Sequence, residues 1–215
     1  MRAEAIWVLP ACFALVDWYA VARGDRRTEV WAKPLVLTSL IVAALVLGTT
    51  ETAAGIWLLV ALVFGLLGDV ALLSDSLPRF RVGVLAFLVG HLAYLACFVS
   101  LGLRMPAWSW AGLAVLAVAL WATRDVVPAT HRLGGLSLSV PVAVYSVVIG
   151  AMLLFAWFTG VPLVALGASV FVVSDATLSI DRFVRPIPHA RLILMVTYHV
   201  GQALIVAGVL HTLGG

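Results

Sequence analysis

Polar residues interrupt this chain at short intervals and leave eight apolar blocks of roughly 15 to 21 residues, each close to the ~20 residues that carry a helix across a bilayer. The blocks predict helices at about 6–22, 34–49, 53–73, 82–102, 108–123, 139–158, 161–180 and 190–211. Turn and boundary chemistry marks the breaks: Gly24-Asp25, Lys33-Pro34, Pro78, Pro106, Gly134-Gly135, Gly160 with Pro162, and Pro186 with Pro188. The expected fold class is an all-α polytopic membrane protein with eight transmembrane helices, a single integral membrane domain over 1–215. The fifth block is the weakest of the eight.

Charge placement checks this count. The loops joining helices 1-2, 3-4, 5-6 and 7-8 hold Arg23, Arg26, Arg27, Lys33, Arg79, Arg81, Arg124, Arg132, Arg182, Arg185 and Arg191, eleven cations against Arg2 and Arg104 on the other side. Cationic loops stay cytoplasmic, and adding or dropping one interior helix would scramble the segregation. Both termini are therefore expected to be extracytoplasmic. Arg2, an apolar stretch and Ala20-Val21-Ala22 before Arg23 also fit a cleaved leader. That rival would send Arg23, Arg26, Arg27 and Lys33 outward, against the bias of the remaining chain.

Composition agrees: 64% hydrophobic residues, 11% charged and a mean hydropathy of +1.15 lie outside the soluble globular range. A pI near 9.2 raises nucleic-acid binding, but the cations sit in breaks and form no basic stripe with interleaved aromatics, so no nucleic-acid partner is expected. Cys12 and Cys97 stand singly inside apolar runs, which indicates neither a disulfide framework nor zinc. Trp7, Trp18, Trp31, Trp57, Trp108 and Trp157 lie near predicted helix ends, where interfacial tryptophans belong. Twelve arginines against one lysine hint at a GC-rich bacterial genome, hence a plasma membrane.

The third and seventh helices carry related text, GLLGDVALLSD from Gly65 and FVVSDATLSID from Phe171. A shift of 106 takes Asp69 to Asp175, Leu72 to Leu178, Asp75 to Asp181 and Arg79 to Arg185; shifts within two residues of it pair Pro34 with Pro141 and His91 with His199. Paired helices run in the same direction, which predicts a parallel 4+4 internal repeat with halves about 1–105 and 106–215. Chance similarity among Leu/Val/Ala-rich helices is the alternative. If the repeat holds, Asp69 and Asp175 face each other across a pseudo-axis.

Ionisable groups within hydrocarbon are costly and call for a reason. Asp17, Asp69 and Asp175 are the acids inside the predicted spans, expected about 6 to 9 Å before the cytoplasmic ends of their helices. Tyr145, Tyr198, His199 and His91 are expected roughly 9 to 14 Å beyond the cytoplasmic starts of theirs. These depths predict a polar pocket in the cytoplasmic half, lined by aromatics. Helical spacing places Gly65 with Asp69, Gly167 with Phe171 and Asp175, Phe87 with His91 and Tyr94, Pro141 with Tyr145, and Tyr198 with Gln202 on shared faces. Gly65, Gly68, Gly167 and Ser174, small residues near the acids, permit close helix approach or room for substrate.

KP at Lys33, GxxGDxxL from Gly65 to Leu72, GxxxFxxGHxxY from Gly83 to Tyr94, PxxxY from Pro141, GAxxFxxSDxxL from Gly167 to Leu178 and YHxxQxLI from Tyr198 to Ile205 occur in this order. The ordered set resembles the lysoplasmalogenase family, the bacterial YhhN and animal transmembrane protein 86 group. It covers helices 2 to 8 except the fifth and leaves Asp17 unmatched. The resemblance implies hydrolysis of the 1-alkenyl ether bond of a lysophospholipid to a fatty aldehyde and a glycerophospho base, without a cofactor. Such cleavage protonates the outer alkene carbon, giving an oxocarbenium ion that water captures. One of Asp69 and Asp175 would be the general acid; the other, ionised, would stabilise the cation and then activate water, and which is which stays open. His91, Tyr94, Tyr145, Ser174, Tyr198, His199 and Gln202 would orient these groups or the substrate, and Lys33 or nearby arginines could hold the phosphate.

Plainer roles compete at each position. Asp17 reads more simply as a structural hydrogen-bond partner. The tyrosines fit interhelical packing, and Lys33, Arg79 and Arg185 fit interfacial anchors. His91 and His199 form a weak zinc pair, because His131, His189 and His211 lie in loops or toward the opposite end. Parallel repeats with buried acids also describe a proton-coupled transporter or lipid carrier, although no comparable polar set leads to the outer face.

Overall fold

A computed structural model describes residues 3–74 and 76–214, so that Arg2 and Asp75 lie outside the described residues. The described residues form eight α-helices with short 3-10 turns and no strand: α1 (Val8–Arg23), α2 (Arg26–Val46), α3 (Ala53–Ala71), α4 (Leu77–Leu101), α5 (Ala111–Ala122), α6 (Val126–Phe158), α7 (Pro162–Phe183) and α8 (Ala190–Gly214). Seven are long and apolar enough to cross a membrane. The other, α5, is extended by a 3-10 turn over Ala107–Trp110 to about 26 Å, short of the ~30 Å hydrocarbon thickness.

Two compact units divide the chain, one of Met1–Gly102 with Val206–Gly215 and one of Leu103–Ile205. In the first, α1 packs on α2, α2 on α3, and α3 on α4. Leu37, Leu40, Leu58, Leu62 and Phe98 are fully buried there. In the second, α5, α6 and α7 pack mutually, and Met152, Leu153, Val164 and Ala168 are fully buried.

Local chemistry shows why α2 begins well before the predicted boundary at Pro34. Asp25 accepts hydrogen bonds from the Arg27 and Thr28 backbone N–H groups, 3.1 and 3.3 Å, and from the Thr28 hydroxyl, 2.6 Å. This N-cap starts the helix at Arg26 and carries it through Pro34. Lys33, expected in a loop at the membrane surface, is therefore a buried helix-interior residue.

Gly134 and Gly135 do break the helical path, at φ/ψ −148°/17° and 59°/−151°, a backbone that a side chain at Gly135 would strain. Ser137 and Ser139 hydroxyls bond the Gly134 and Gly135 carbonyls that the break releases, at 2.7 and 3.0 Å. The stretch before the break, Val126 to Leu133, is helical where the hydropathy pattern placed a loop.

Candidate functional site

In the first unit the Lys33 ammonium on α2 lies 3.2 Å from the Asp69 carboxylate on α3, with side chains 5% and 1% exposed. The bare cost of burying two charges in such a setting exceeds that of an apolar pair, so the pair persists only where each charge meets the other closely. Nearby on the same helices, Arg26 binds Glu29 at 3.1 Å and donates to the Leu73 carbonyl just past the end of α3. Those contacts tie the start of α2 to the end of the Asp69 helix.

The α3–α4 interface fixes the height of Asp69. A Cβ at Gly68 would come within 2.7 Å of the Phe87 ring, and one at Gly90 within 3.3 Å of the Ala61 carbonyl. With no side chains there, α4 lies close enough to bury His91 and Tyr94, both 2% exposed, and Tyr94 stacks on Phe98 at 5.8 Å. Asp17 on α1 is also fully buried.

In the second unit the Tyr145 hydroxyl on α6 donates to Asp175 Oδ2 on α7 at 2.7 Å, and both residues are half-buried. They open onto a narrow crevice of about 50 Å³ between α5, α6 and α7, walled by Leu116, Leu120, Ile149, Leu153 and Val172, with Thr123, Ser146 and Ser179 as polar company. A space of that size holds a few waters or a few methylene groups. An apolar crevice ending on a carboxyl is chemically suited to bringing a proton donor against an alkyl-chain substrate.

The remaining predicted residues of this unit gather on the α7–α8 side. Ser174 donates to the Leu194 carbonyl at 3.1 Å, and Phe171 meets Tyr198 edge to face at 5.3 Å. Tyr198, His199 and Gln202 are 3%, 2% and 1% exposed, and the Tyr198 and His199 rings lie 5.3 Å apart. The two helices cross at Gly167 and Gly201, where Cβ atoms would meet backbone at 2.7 and 3.0 Å.

The structure thus brings Lys33 to Asp69 and Tyr145 to Asp175, the first in place of the phosphate or interfacial role expected of Lys33. Depths differ from expectation. Asp69 lies two residues, about 3 Å, from the end of α3, whereas Asp175 lies eight residues, about 12 Å, from the end of α7. His91 stands fourteen residues, about 21 Å, into α4, because that helix starts at Leu77. Sequence reasoning passed over Ser146 and Ser179, although Ser179 follows Asp175 by one turn and so shares its face. Among the described residues no three His, Cys, Asp or Glu side chains are grouped as metal ligands would be.

The YhhN family matches this chain over residues 28–209. The lysoplasmalogenase TMEM86A of Bos taurus is 32% identical over 159 residues, 68% of this chain and 62% of that protein. TMEM86B of Homo sapiens, also named a lysoplasmalogenase, is 32% identical over 152 residues, 71% of this chain and 62% of its own length. A Mycobacterium tuberculosis protein named lysoplasmalogenase is 29% identical over 158 residues, 71% of this chain and 59% of that one. The chain thus spans less than two thirds of the length of these relatives. No solved structure matches it.

Proposed function

The chain belongs to the YhhN family, and on that premise we propose that it is a membrane-embedded hydrolase of the 1-alkenyl ether bond of lysoplasmalogens. The observation that carries this reading is the Tyr145–Asp175 pair at the end of an apolar crevice, which sets a carboxyl beside space for a few methylene groups. The names of the relatives point to the same bond.

The reaction needs a proton donor for carbon and a negative charge for the cation that follows. Asp175 is assigned the first task. Its proton goes to the outer alkene carbon, and positive charge then spreads over the ether oxygen and its attached carbon. Water adds to that carbon and returns a proton to the Asp175 carboxylate; the resulting hemiacetal, its hydroxyl proton passing to the departing oxygen, collapses to a fatty aldehyde and the glycerol hydroxyl. The Tyr145 hydroxyl holds the carboxyl in one rotamer, which is worth more at a reacting group than on a surface. Asp69, paired with the Lys33 ammonium, is proposed as the second carboxyl of the reaction. His91, Tyr94, Ser174, Tyr198, His199 and Gln202 serve as positioning residues.

Eight spans, a parallel 4+4 repeat, extracytoplasmic termini and a pocket in the cytoplasmic half of a bacterial plasma membrane complete the reading. In its support, the sequence still segregates ten cations, counted without Lys33, against Arg2 and Arg104. In each unit, too, the Asp-bearing helix packs on an adjacent helix through small residues.

The test is aldehyde release from a 1-alkenyl lysophospholipid by protein purified in detergent, with the 1-alkyl ether as a control that should stay intact. Asp175→Asn and Asp69→Asn should each lower kcat at least 100-fold, in the range of acid-base groups. Full activity in both variants would remove the carboxyl mechanism, and no aldehyde from the unaltered protein would remove the function.

A further inference from the structure

A second cavity in the Leu103–Ile205 unit lies at the polar end of α5 and α7, and no step above uses it. It is an open surface recess of about 470 Å³ lined by Trp121, Arg124, Asp125, Ile180, Val184 and Arg185, with Ala122, most of them exposed. Its volume falls within the roughly 300–1,000 Å³ typical of small-molecule sites. Two guanidinium groups and one carboxylate give it a net charge of +1.

Arg124 is held in place on three sides. Its guanidinium stacks 4.6 Å over the Trp121 ring, Nη1 donates to the Trp121 carbonyl at 2.9 Å, and Nε stands 4.0 Å from Asp125. A planar guanidinium fixed this way still presents a fork of donors that suits phosphate oxygens.

We propose that this cavity binds the phosphodiester of the lysolipid substrate. The argument is one of order along α7 and of adjacency at the end of α5. Ala176 and Ser179 of α7 line the Asp175 crevice, and Ile180, Val184 and Arg185 line the cavity, so the second begins within a turn of where the first ends. Around the end of α5 the two linings interleave, Leu120, Thr123 and Val126 on the crevice and Trp121, Arg124 and Asp125 on the cavity, so the two spaces are adjacent there as well. Beyond Asp175 in the other direction come Val172, Ile149 and Leu153, all apolar or buried. Cationic mouth, carboxyl and hydrocarbon throat therefore follow the order phosphate, vinyl ether and chain in a lysoplasmalogen. Lys33, the cation first considered for the phosphate, is occupied by Asp69 in the other unit.

This proposal rests on the hydrolase reading, so its test avoids turnover. Equilibrium binding to detergent-purified protein is measured for a 1-alkyl lysophosphatidylcholine, which the mechanism cannot cleave, for the matching 1-alkylglycerol, and for glycerophosphocholine. Arg124→Gln and Arg185→Gln should each weaken the lysophospholipid at least tenfold and leave the alkylglycerol within twofold, with glycerophosphocholine binding far more weakly than either in all forms. In turnover, both variants should raise KM with kcat within twofold. Unchanged lysophospholipid affinity, an equal loss for the alkylglycerol, or glycerophosphocholine binding as tightly as the lysolipid would each overturn the assignment. The expected discrimination in a protein that releases no aldehyde would sustain the cavity and count against hydrolysis alone.

Discussion

Lys33 and Asp69, thirty-six residues apart on neighbouring helices, form a buried ion pair at 3.2 Å with almost no exposed side-chain surface. Such a pair is held by its two members in common, because either charge left alone in a dry setting is far more costly than both together. Lys33→Met should therefore destabilise the protein by about 3–5 kcal/mol, whereas Lys33→Met with Asp69→Leu should recover most of that loss. Thermal unfolding in detergent reads both. Additive losses in the double variant would show that the two charges are not coupled.

Helix crossings without side chains give a sharper steric expectation. A methyl at Gly167 would stand 2.7 Å from the Ile205 backbone nitrogen and 2.9 Å from the Gly201 carbonyl, and neither atom can rotate away. Gly167→Ala should push α7 from α8 and cost about 1–3 kcal/mol, as overpacking does. Gly135→Ala strains the backbone at a positive φ but meets no neighbouring atom, so it should cost about 1–2 kcal/mol without altering the α7–α8 crossing. Unfolding midpoints of the two variants, with aldehyde release as the second readout, separate a packing fault from a backbone one: Gly167→Ala should lose activity more than in proportion to folded protein.

Much of this architecture is legible in hydropathy alone, because a span must satisfy its backbone internally and expose apolar side chains wherever it begins and ends. Segments three and eight were predicted to within a few residues for that reason. Lys33-Pro34 misled because a cation followed by proline reads as a boundary, while the Asp25 cap that actually starts α2 lies eight residues upstream among charged residues. The site divides in the same way. Asp69, Asp175 and Tyr145 stand out one at a time as polar groups amid apolar text. Which of them touch is decided by helix packing between positions thirty or more residues apart, and no spacing rule within one helix reaches that far. Ser179 was within reach of such a rule and was missed because it falls among other small residues near the end of α7.

Asp25 gives a pH dependence that belongs to the aqueous turn between α1 and α2. The Thr28 hydroxyl above all, then the Thr28 backbone N–H, hold its carboxyl below the ordinary value of 3.8 against desolvation, with the Arg27 N–H and guanidinium adding less. A carboxyl with a lowered folded value stabilises the fold fully at pH values above the unfolded one, and that contribution disappears as pH falls through the folded one. Stability should thus decline below about pH 4 through this group. Asp25→Asn keeps an oxygen acceptor but cannot titrate, so it should show less of the acid decline and nearly normal stability at pH 7. An unchanged acid decline in unfolding curves recorded from pH 7 to pH 3 would assign it to other carboxyls.

Tyr145 allows the role of Asp175 to be separated from its mere presence. The phenol donates to one carboxyl oxygen at 2.7 Å and contributes little bulk that phenylalanine would not replace. Tyr145→Phe should therefore cost only about 1 kcal/mol of stability, the usual worth of one hydrogen bond. Its effect on catalysis should be larger, since a proton donor that swings between rotamers spends less time aligned with the alkene carbon. A fall in kcat of about 10- to 100-fold with KM little changed is expected, smaller than the loss in Asp175→Asn and absent when Asp175 is already Asn. The cycle of Tyr145→Phe, Asp175→Asn and the double variant decides it. If Tyr145→Phe lowers kcat by the same factor whether or not Asp175 is present, the phenol acts on the substrate directly, and the hydrogen bond in the structure is not how it contributes.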